Sequence, residues 1–342
     1  MGIINRNELE SLAAALVSPG KGMLAADECP PTIEQRFGEV GVESTEDTRC
    51  AYRAMLFETP NMQRFISGVI LQEETLRQGP VDGGSFAEKL QRDGMIPGVS
   101  VDSGTRPLNG CPYEFISEGL DGLEDRLAEF KTLGARFAKW RSVFLIGENT
   151  PSANAIDANV HASARFAAAC QEAGLLPVIE SDVQNVGRHS LQQSFQATVD
   201  AIRRLFYRLF DYGVGLERML FMSNMVTPGL ECPQQAGPDE VAQWTLSCMR
   251  RVVPVAVPGI LFGASNQKPE SATQCLNSIN VMGRHPWELS FSFRGALSRP
   301  ALEVWKGDSN NVRAAQQALY DQAKCNCAAR YGKYSPDMAP KG

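Results

Sequence analysis

The sequence has few of the features that mark membrane, metal-dependent or nucleic-acid-binding proteins. Its 342 residues include only 3 histidines, which form neither an HExxH motif nor a cluster, so zinc chemistry is not predicted. No apolar run is long enough to span a bilayer, and the N-terminus lacks the apolar core of a signal peptide. A net charge of −6 argues against nucleic acid or an anionic membrane as the main partner. We expect a cytoplasmic protein that binds neither, and that needs no metal and no cofactor.

The cysteines do not indicate a disulfide framework or a metal site. There are 9 of them, an odd number, and they are scattered along the chain. Only Cys325 and Cys327 are close, and a CxC pair matches no standard metal spacing. We therefore interpret most of the cysteines as small buried hydrophobic residues.

Short apolar runs, each ending on a polar or small residue, recur along the chain. We predict strands at 22–27, 67–72, 96–102, 136–141, 176–182, 219–224, 259–264 and 288–294. Helical patterns lie between them, such as 121–133, 153–173, 191–212, 238–251 and 310–331. This alternation is typical of βα units, and eight units favour a closed barrel. A doubly wound open sheet is the alternative, but Asp27-Glu-Cys-Pro-Pro follows the first strand in place of a Gly-rich phosphate loop.

The predicted fold is α/β, a single-domain (β/α)₈ TIM barrel over residues 1–342, with a mobile C-terminal tail at 335–342.

Side-chain alternation groups charged residues on one face of three predicted strands. Lys139 and Arg141 share a face, as do Glu180 and Asp182, and Asp27 ends the first strand. These polar residues lie toward the C-terminal ends of their strands, where barrel enzymes place their chemistry. The pattern predicts an enzyme site for a small polar molecule inside the barrel.

Lys139 is the most informative of these residues. Of the nine lysines, only Lys139 falls inside a strand-like run. If it points inward, nearby carboxylates would hold it charged and oppose the effect of burial on its pKa. Two alternatives remain: Lys139 could point outward between the helices, or the acids could form a purely structural ion-pair network.

Several longer motifs resemble a known family. GKGMLAADE at 20–28, FAKWR at 137–141, NMVTPG at 224–229 and GKYSP at 332–336 closely resemble class I fructose-bisphosphate aldolases. The resemblance continues through GVILQEETL at 68–76, LDGL at 120–123 and TPS at 150–152, so it runs nearly end to end. It implies a (β/α)₈ barrel that acts on a small-molecule substrate without a metal, and a homo-oligomer that is usually a tetramer.

One departure from the family pattern concerns its covalent chemistry. The family forms a Schiff base between the substrate ketone and a lysine that precedes the Pro-Asn-Met-Val-Thr-Pro-Gly segment. Here 221–229 reads FMSNMVTPG, so Met222 occupies that position. Methionine forms no iminium, and the sequence therefore predicts that the usual mechanism is lost.

Other departures affect the family's cationic and phosphate-binding positions. A family lysine on the third strand is Ser100, a phosphate-binding serine is Ala264, and the two glycines after it are Ser265 and Asn266. The usual Gly-Arg order is reversed at Arg294-Gly, so period-two alternation predicts that Arg294 turns away from the usual direction. These changes predict weak binding of a bisphosphate.

The candidate residues follow from the interior face and the resemblance together. The catalytic candidates are Lys139, Glu180, Asp27 and Asp182, and the substrate-binding candidates are Arg141, Asn224, Ser100, Arg36, Ser265 and Arg294. Glu180 and Asp27 would transfer protons, while Lys139 would stay charged as an electrostatic stabiliser.

The departures favour a repurposed lyase-type enzyme with other acid–base carbon chemistry and without efficient fructose-1,6-bisphosphate cleavage. Two alternatives stay open. One is a catalytically inactive binding or scaffold protein, and the other is a residual aldolase that uses Lys139 as its Schiff-base amine.

Overall fold

The computed structural model describes residues 6–80 and 83–339 and contains a closed barrel of eight parallel strands. Its strands are β1 (Gly22–Ala26), β2 (Ile66–Leu71), β3 (Ile96–Ser100), β6 (Phe137–Phe144), β7 (Leu176–Val183), β8 (Leu220–Asn224), β9 (Gly259–Gly263) and β10 (Glu288–Phe293). A separate antiparallel hairpin consists of β4 (Thr105–Pro107) and β5 (Phe115–Ser117). The predicted single-domain (β/α)₈ barrel is confirmed.

Helices connect the strands and surround the barrel. They are α1 (Arg6–Leu16), α2 (Pro30–Gly38), α3 (Glu46–Phe57), α4 (Glu73–Leu76), α5 (Phe86–Arg92), α6 (Leu123–Thr132), α7 (Ala153–Ala173), α8 (Leu191–Asp211), α9 (Pro238–Val252), α10 (Pro269–Val281), α11 (Gly295–Trp305) and α12 (Val312–Arg330). Hydroxyl groups cap several helix starts by accepting a backbone N–H, as Thr45, Ser152 and Ser190 do. The expected tail contains a short 3-10 turn at Pro336–Met338, and residues 340–342 lie outside the described part.

The barrel has an apolar floor beneath its charged residues. Helix α1 closes the N-terminal end, where Leu9, Leu12 and Leu16 join an interior cluster with residues from the strands. Gly68 leaves room for this helix, since a Cβ at that position would lie 2.5 Å from Leu16 Cδ2. The strand residues of this cluster are Met23, Ala25, Ile70, Phe137, Val178, Leu220, Met222 and Leu261. The charged groups inside the barrel therefore lie above this floor, toward the carboxyl ends of the strands.

The junction between the first and last strands is reinforced by side chains. β1 and β10 are in register at two positions, whereas β6 and β7 are in register at eight. Ser290 Oγ donates to the carbonyl oxygen of Lys21 at 2.8 Å. Arg330, at the end of α12, donates to the carbonyl oxygen of Ser18 at 2.7 Å and to Glu288 Oε2 at 2.6 Å. These bonds compensate for the short backbone ladder of the β1–β10 junction.

Candidate active site

Charged side chains from β1, β6 and β7 meet inside the barrel at its carboxyl end. Lys139 is fully buried and points inward, with its Nζ 2.7 Å from Asp27 Oδ2 and 2.6 Å from Glu180 Oε2. The alternation along β6 and β7 brings these groups together because Lys139 pairs with Val178 in the register of the two strands. The outward orientation of Lys139, considered as an alternative, is therefore wrong.

The ion pairs determine the charge states of this cluster. Burial works to lower the pKa of Lys139, but Asp27 and Glu180 outweigh it, and the pKa is raised above its usual value. Burial works to raise the pKa of Asp27, but Arg294 and Lys139 outweigh it and hold the pKa well below its usual range. At neutral pH, Lys139 is therefore an ammonium group and Asp27 is a carboxylate.

Arg294 reaches this cluster, so the expectation that it turns away is wrong. Its Nη2 and Nε lie 3.1 and 3.3 Å from Asp27 Oδ1. The reason lies in β10, where Ser292 lines the barrel cavity while Phe291 and Phe293 pack in the core outside it. Position 294 therefore continues the inward set.

A second group of polar residues is organised around Asp182. Asp182 Oδ2 accepts from Arg141 Nε at 2.6 Å and from Gln184 Nε2 at 2.6 Å, while Asp182 Oδ1 accepts from Asn224 Nδ2. Both carboxylate oxygens are thus engaged, and Asp182 orients the three donors around it. Sequence reasoning missed Gln184, although the alternation of Glu180 and Asp182 continues to that residue.

The two groups border one cavity at the mouth of the barrel. It encloses about 500 Å³, open mouth included, and is lined by Ala25, Arg141, Glu180, Asp182, Gln184, Met222, Asn224, Gly263, Ala264, Ser265, Asn266, Ser292, Arg294 and Gly295. Lys139 and Asp27 lie behind this wall. The cavity wall does not include Ser100, whose hydroxyl donates to Asp102 Oδ2 at 3.2 Å.

An adjoining cavity is rich in arginine. Its wall includes Arg36, Arg294 and Arg299. Ser265, Asn266 and Arg294 line both this cavity and the first one. Arg36, a predicted binding residue, lines the same wall as Arg294. Its guanidinium group pairs with the buried carboxylate of Glu28. Guanidinium groups in this arrangement suit an anionic ligand such as a phosphate.

Neither a metal site nor a membrane span emerges from the described residues. Within 6–80 and 83–339, no three His, Cys, Asp or Glu side chains come together as metal ligands. Among the described helices, none is both long and apolar enough to cross a membrane.

The family follows from comparison with known proteins. The family model described as "Fructose-bisphosphate aldolase class-I" matches residues 8–341. The chain belongs to the class I fructose-bisphosphate aldolase family. It is 45% identical over 328 residues to a "Probable fructose-bisphosphate aldolase class 1" of Xanthomonas axonopodis pv. citri, covering 96% of this chain and 98% of that one. It is 41% identical to the "Fructose-bisphosphate aldolase" of Dictyostelium discoideum, over 96% of this chain and 93% of that one.

A solved structure gives the same result for this aldolase-family chain. The fructose-bisphosphate aldolase from Plasmodium falciparum, in complex with TRAP and a small-molecule inhibitor, superposes with a TM-score of 0.94 at 40% identity. The match covers 96% of this chain and 95% of the other.

These similarities correct the expected function. Relatives that are 41–45% identical over 86–98% of their own lengths are named fructose-bisphosphate aldolases, so they indicate ordinary rather than altered activity. The repurposed-enzyme interpretation is wrong, and so are its alternatives of an inactive scaffold and a merely residual aldolase. One physical premise was also mistaken, because Arg294 was expected to turn away from the usual direction and in fact lines the cavity. The chain is an enzyme of the aldolase, or lyase, family.

Proposed function

We propose that this protein catalyses the aldol cleavage of a phosphorylated ketose, with fructose 1,6-bisphosphate as its substrate. The observation that carries the proposal is the Glu180 carboxylate on the cavity wall, paired with the buried Lys139 ammonium at 2.6 Å. A carboxylate held in this way can accept a hydroxyl proton close to cationic groups that stabilise developing negative charge.

The reaction needs one base and one set of oxyanion donors. Glu180 takes the proton of the hydroxyl next to the breaking C–C bond, and that oxygen forms the carbonyl of the departing aldehyde. The bonding electrons move to the ketose carbonyl oxygen, giving an enolate that accepts hydrogen bonds from Arg294 and Arg141 on the wall. Glu180 then returns the proton to the enolate carbon, which releases the ketone product.

Lys139 and Asp27 act in this proposal as positioning residues. Both lie behind the cavity wall, and their charges support Glu180 and Arg294. Asp27 stays ionised because its pKa is held far below neutrality after Arg294 and Lys139 outweigh the effect of burial. Because Asp27 does not line the cavity and both of its oxygens are held by cations, Glu180 alone is assigned as the base.

We further propose that Met222 stands where related enzymes carry their Schiff-base lysine. Its side chain lines the cavity and belongs to the apolar interior cluster, and a thioether supplies no amine. Lys139 is held as an ammonium, which does not attack a carbonyl. The carbonyl would therefore be polarised by hydrogen bonds alone, without an iminium.

The phosphate groups of the substrate would bind to the arginine-rich wall. Arg36 and Arg294 line the same cavity, and Arg294 also lines the cavity that contains Glu180. Guanidinium groups bind phosphate oxygens through paired N–H donors. Ser265 and Asn266, between the two cavities, would add hydrogen bonds to the same ligand.

Turnover of fructose 1,6-bisphosphate by purified protein tests the proposal. Aldehyde and ketone products are measured together, and the protein is treated with borohydride during turnover, followed by peptide mass analysis. We expect turnover, no reduced adduct on Lys139, and a loss of about 100-fold or more in kcat for Glu180→Gln. Lys139→Met should also lower kcat, because Glu180 loses its ammonium partner.

Two control variants separate the outcomes. Met222→Lys adds an amine to the wall and should yield a reduced adduct at that position, which shows that the trap works. Lys89→Met removes a half-buried lysine near Asp93 and should leave turnover unchanged. Absence of turnover in the unmodified protein would refute the function. An adduct on Lys139 would keep the function but replace the enolate route with a covalent one, and full activity of Glu180→Gln would make the cluster structural.

Two further proposals concern the setting in which the enzyme works. The related aldolase 4 of Arabidopsis thaliana, 42% identical over 98% of this chain, is named as cytosolic, which supports a cytoplasmic location here. We also propose a homo-oligomer, with a tetramer as the form to test by light scattering.

A further inference from the structure

A buried arginine on α3 contacts the segment that follows the first strand. Arg53 is 2% exposed, and its Nη1 donates to Glu28 Oε2 at 2.8 Å. Its Nη2 also donates to the carbonyl oxygen of Glu28 at 3.3 Å, so both the side chain and the backbone of Glu28 are held. Glu28 directly follows Asp27. Arg53 therefore fixes the end of β1 from outside the barrel.

Glu28 also contacts an arginine on the cavity wall. Its other carboxylate oxygen, Oε1, pairs with Arg36, which lines the arginine-rich cavity. Burial works to raise the pKa of Glu28, but Arg53 and Arg36 outweigh it and the pKa is lowered, so the carboxylate keeps its charge. One buried carboxylate thus connects an arginine outside the cavity with an arginine on its wall.

A serine fixes the other side of the Arg36 guanidinium. Arg36 Nη2 donates to Ser298 Oγ at 3.1 Å, and Ser298 Oγ donates to the carbonyl oxygen of Arg294 at 3.0 Å. Arg36 and Arg294 carry like charges and line one cavity, so their side chains would separate without an anion or a restraint. Glu28 and Ser298 supply that restraint before any ligand is bound.

We propose that Arg53 is a positioning residue for substrate binding: through Glu28 it presets the Arg36 guanidinium beside Arg294 to receive a phosphate group. The inference rests on the proposed function for the identity of the substrate. Preorganisation of this kind increases affinity because the side chain is already ordered when the ligand arrives. Arginine is needed at residue 53, since its planar fork reaches the side chain and the carbonyl of Glu28 together and a lysine ammonium is a single point charge.

Binding and turnover of fructose 1,6-bisphosphate by Arg53→Lys provide the test. Calorimetry gives the dissociation constant, with inorganic phosphate as a second probe, and steady-state kinetics gives kcat and KM. We expect the dissociation constant to rise about tenfold, as for one weakened charge-assisted hydrogen bond, with kcat within about twofold of the unmodified protein. Glu28→Gln keeps the shape of the link but removes its charge, and should produce the same change.

A double-mutant cycle separates positioning from general stability. In an Arg36→Ala background, Arg53→Lys should weaken binding by less than twofold, because the group that it positions is gone. Arg49→Lys is the matched control: Arg49 lies on the same helix, donates to Glu74 Oε2 at 3.0 Å and does not line either cavity. This control should leave both binding and kcat unchanged.

Each outcome supports or refutes the positioning role of Arg53. Equal losses for Arg53→Lys with and without Arg36 would show a general structural role and overturn the proposal. The proposal would also be overturned if the unmodified protein bound neither fructose 1,6-bisphosphate nor phosphate. Coupled binding losses in a protein without turnover would support the positioning role and refute only the proposed reaction. Turnover without coupled binding losses would support the proposed reaction and refute the positioning role of Arg53.

Discussion

Replacement of Lys139 by methionine tests the electrostatic reasoning most directly. The variant keeps a side chain of similar length but leaves Asp27 and Glu180 buried with a lost counterion. Removing one member of a buried ion pair costs about 3–5 kcal/mol, because the remaining charge is not compensated. Arg294 still pairs with Asp27 at 3.1 Å, so we expect a loss of about 3 kcal/mol at pH 7, the lower end of that range.

The pH dependence of this loss has a definite sign. The folded-state pKa of Lys139 is raised, so its contribution is fully present below its unfolded pKa of about 10.4 and is lost as the pH rises through the folded value. The folded-state pKa of Asp27 is depressed, so its contribution is present above about 3.9 and is lost as the pH falls. Both contributions are complete at pH 7. In Lys139→Met, Asp27 loses one of the two cations that lower its pKa, so it takes up a proton at a higher pH and the difference from the unmodified protein should shrink as the pH falls.

Urea unfolding followed by tryptophan fluorescence at pH 7 and pH 5 measures this difference, provided that the slopes against urea agree. Lys89→Met is the control, because Lys89 Nζ pairs with the half-buried Asp93 at 3.0 Å near the surface, where ion pairs contribute about 0–1 kcal/mol. A loss below about 1 kcal/mol for Lys139→Met at pH 7 would refute the argument. So would an equal loss at both pH values.

Three other predictions concern packing and burial. Gly98→Ala would bring a Cβ within 2.3 Å of the Phe137 ring, so overpacking of about 1–3 kcal/mol should lower Tm in calorimetry; an unchanged Tm would contradict this packing. Arg330→Met should cost about 2–4 kcal/mol in urea unfolding through the loss of charge-assisted hydrogen bonds at the β1–β10 junction, whereas a change under about 0.5 kcal/mol would show that the junction does not need them. Burial raises the pKa of Cys248 and Cys275 to about 12, so a thiol reagent at pH 8 should label them only on unfolding, as read by mass spectrometry; rapid labelling of the folded protein would show that they are accessible.

The barrel was predictable because each strand carries its own local pattern. The predicted run at 136–141 is the strand Phe137–Phe144, and its extra length comes from pairing with Leu176–Val183 across eight positions. Pairing between distant segments is not encoded in either segment alone. The hairpin of Thr105–Pro107 and Phe115–Ser117 was not predicted, because strands of only three residues are too short to show alternation.

The site was predictable where alternation along one strand decides the contacts. Lys139 and Glu180 meet because β6 and β7 are adjacent and in register. The direction of Arg294 was predicted wrongly, because the reversed order of Arg294 and Gly295 was compared with the family order. The alternation of β10 itself directs Arg294 into the site. Arg53 was missed because its partner lies 25 residues away and is reached from a helix, although an arginine between buried Tyr52 and Met55 is a signal that a buried partner exists.

Ligand binding near the β1–β10 junction should also protect the backbone amides of these two strands from hydrogen exchange. Local opening starts where the fewest backbone bonds must break, and the β1–β10 ladder is much shorter than the β6–β7 ladder. Arg36 belongs to the helix after β1, and Arg294 follows β10, so an anion held by both joins the segments on either side of the junction. Hydrogen exchange in Gly22–Ala26 and Glu288–Phe293 should therefore slow in proportion to bound ligand, while exchange in the long β6–β7 ladder stays the same.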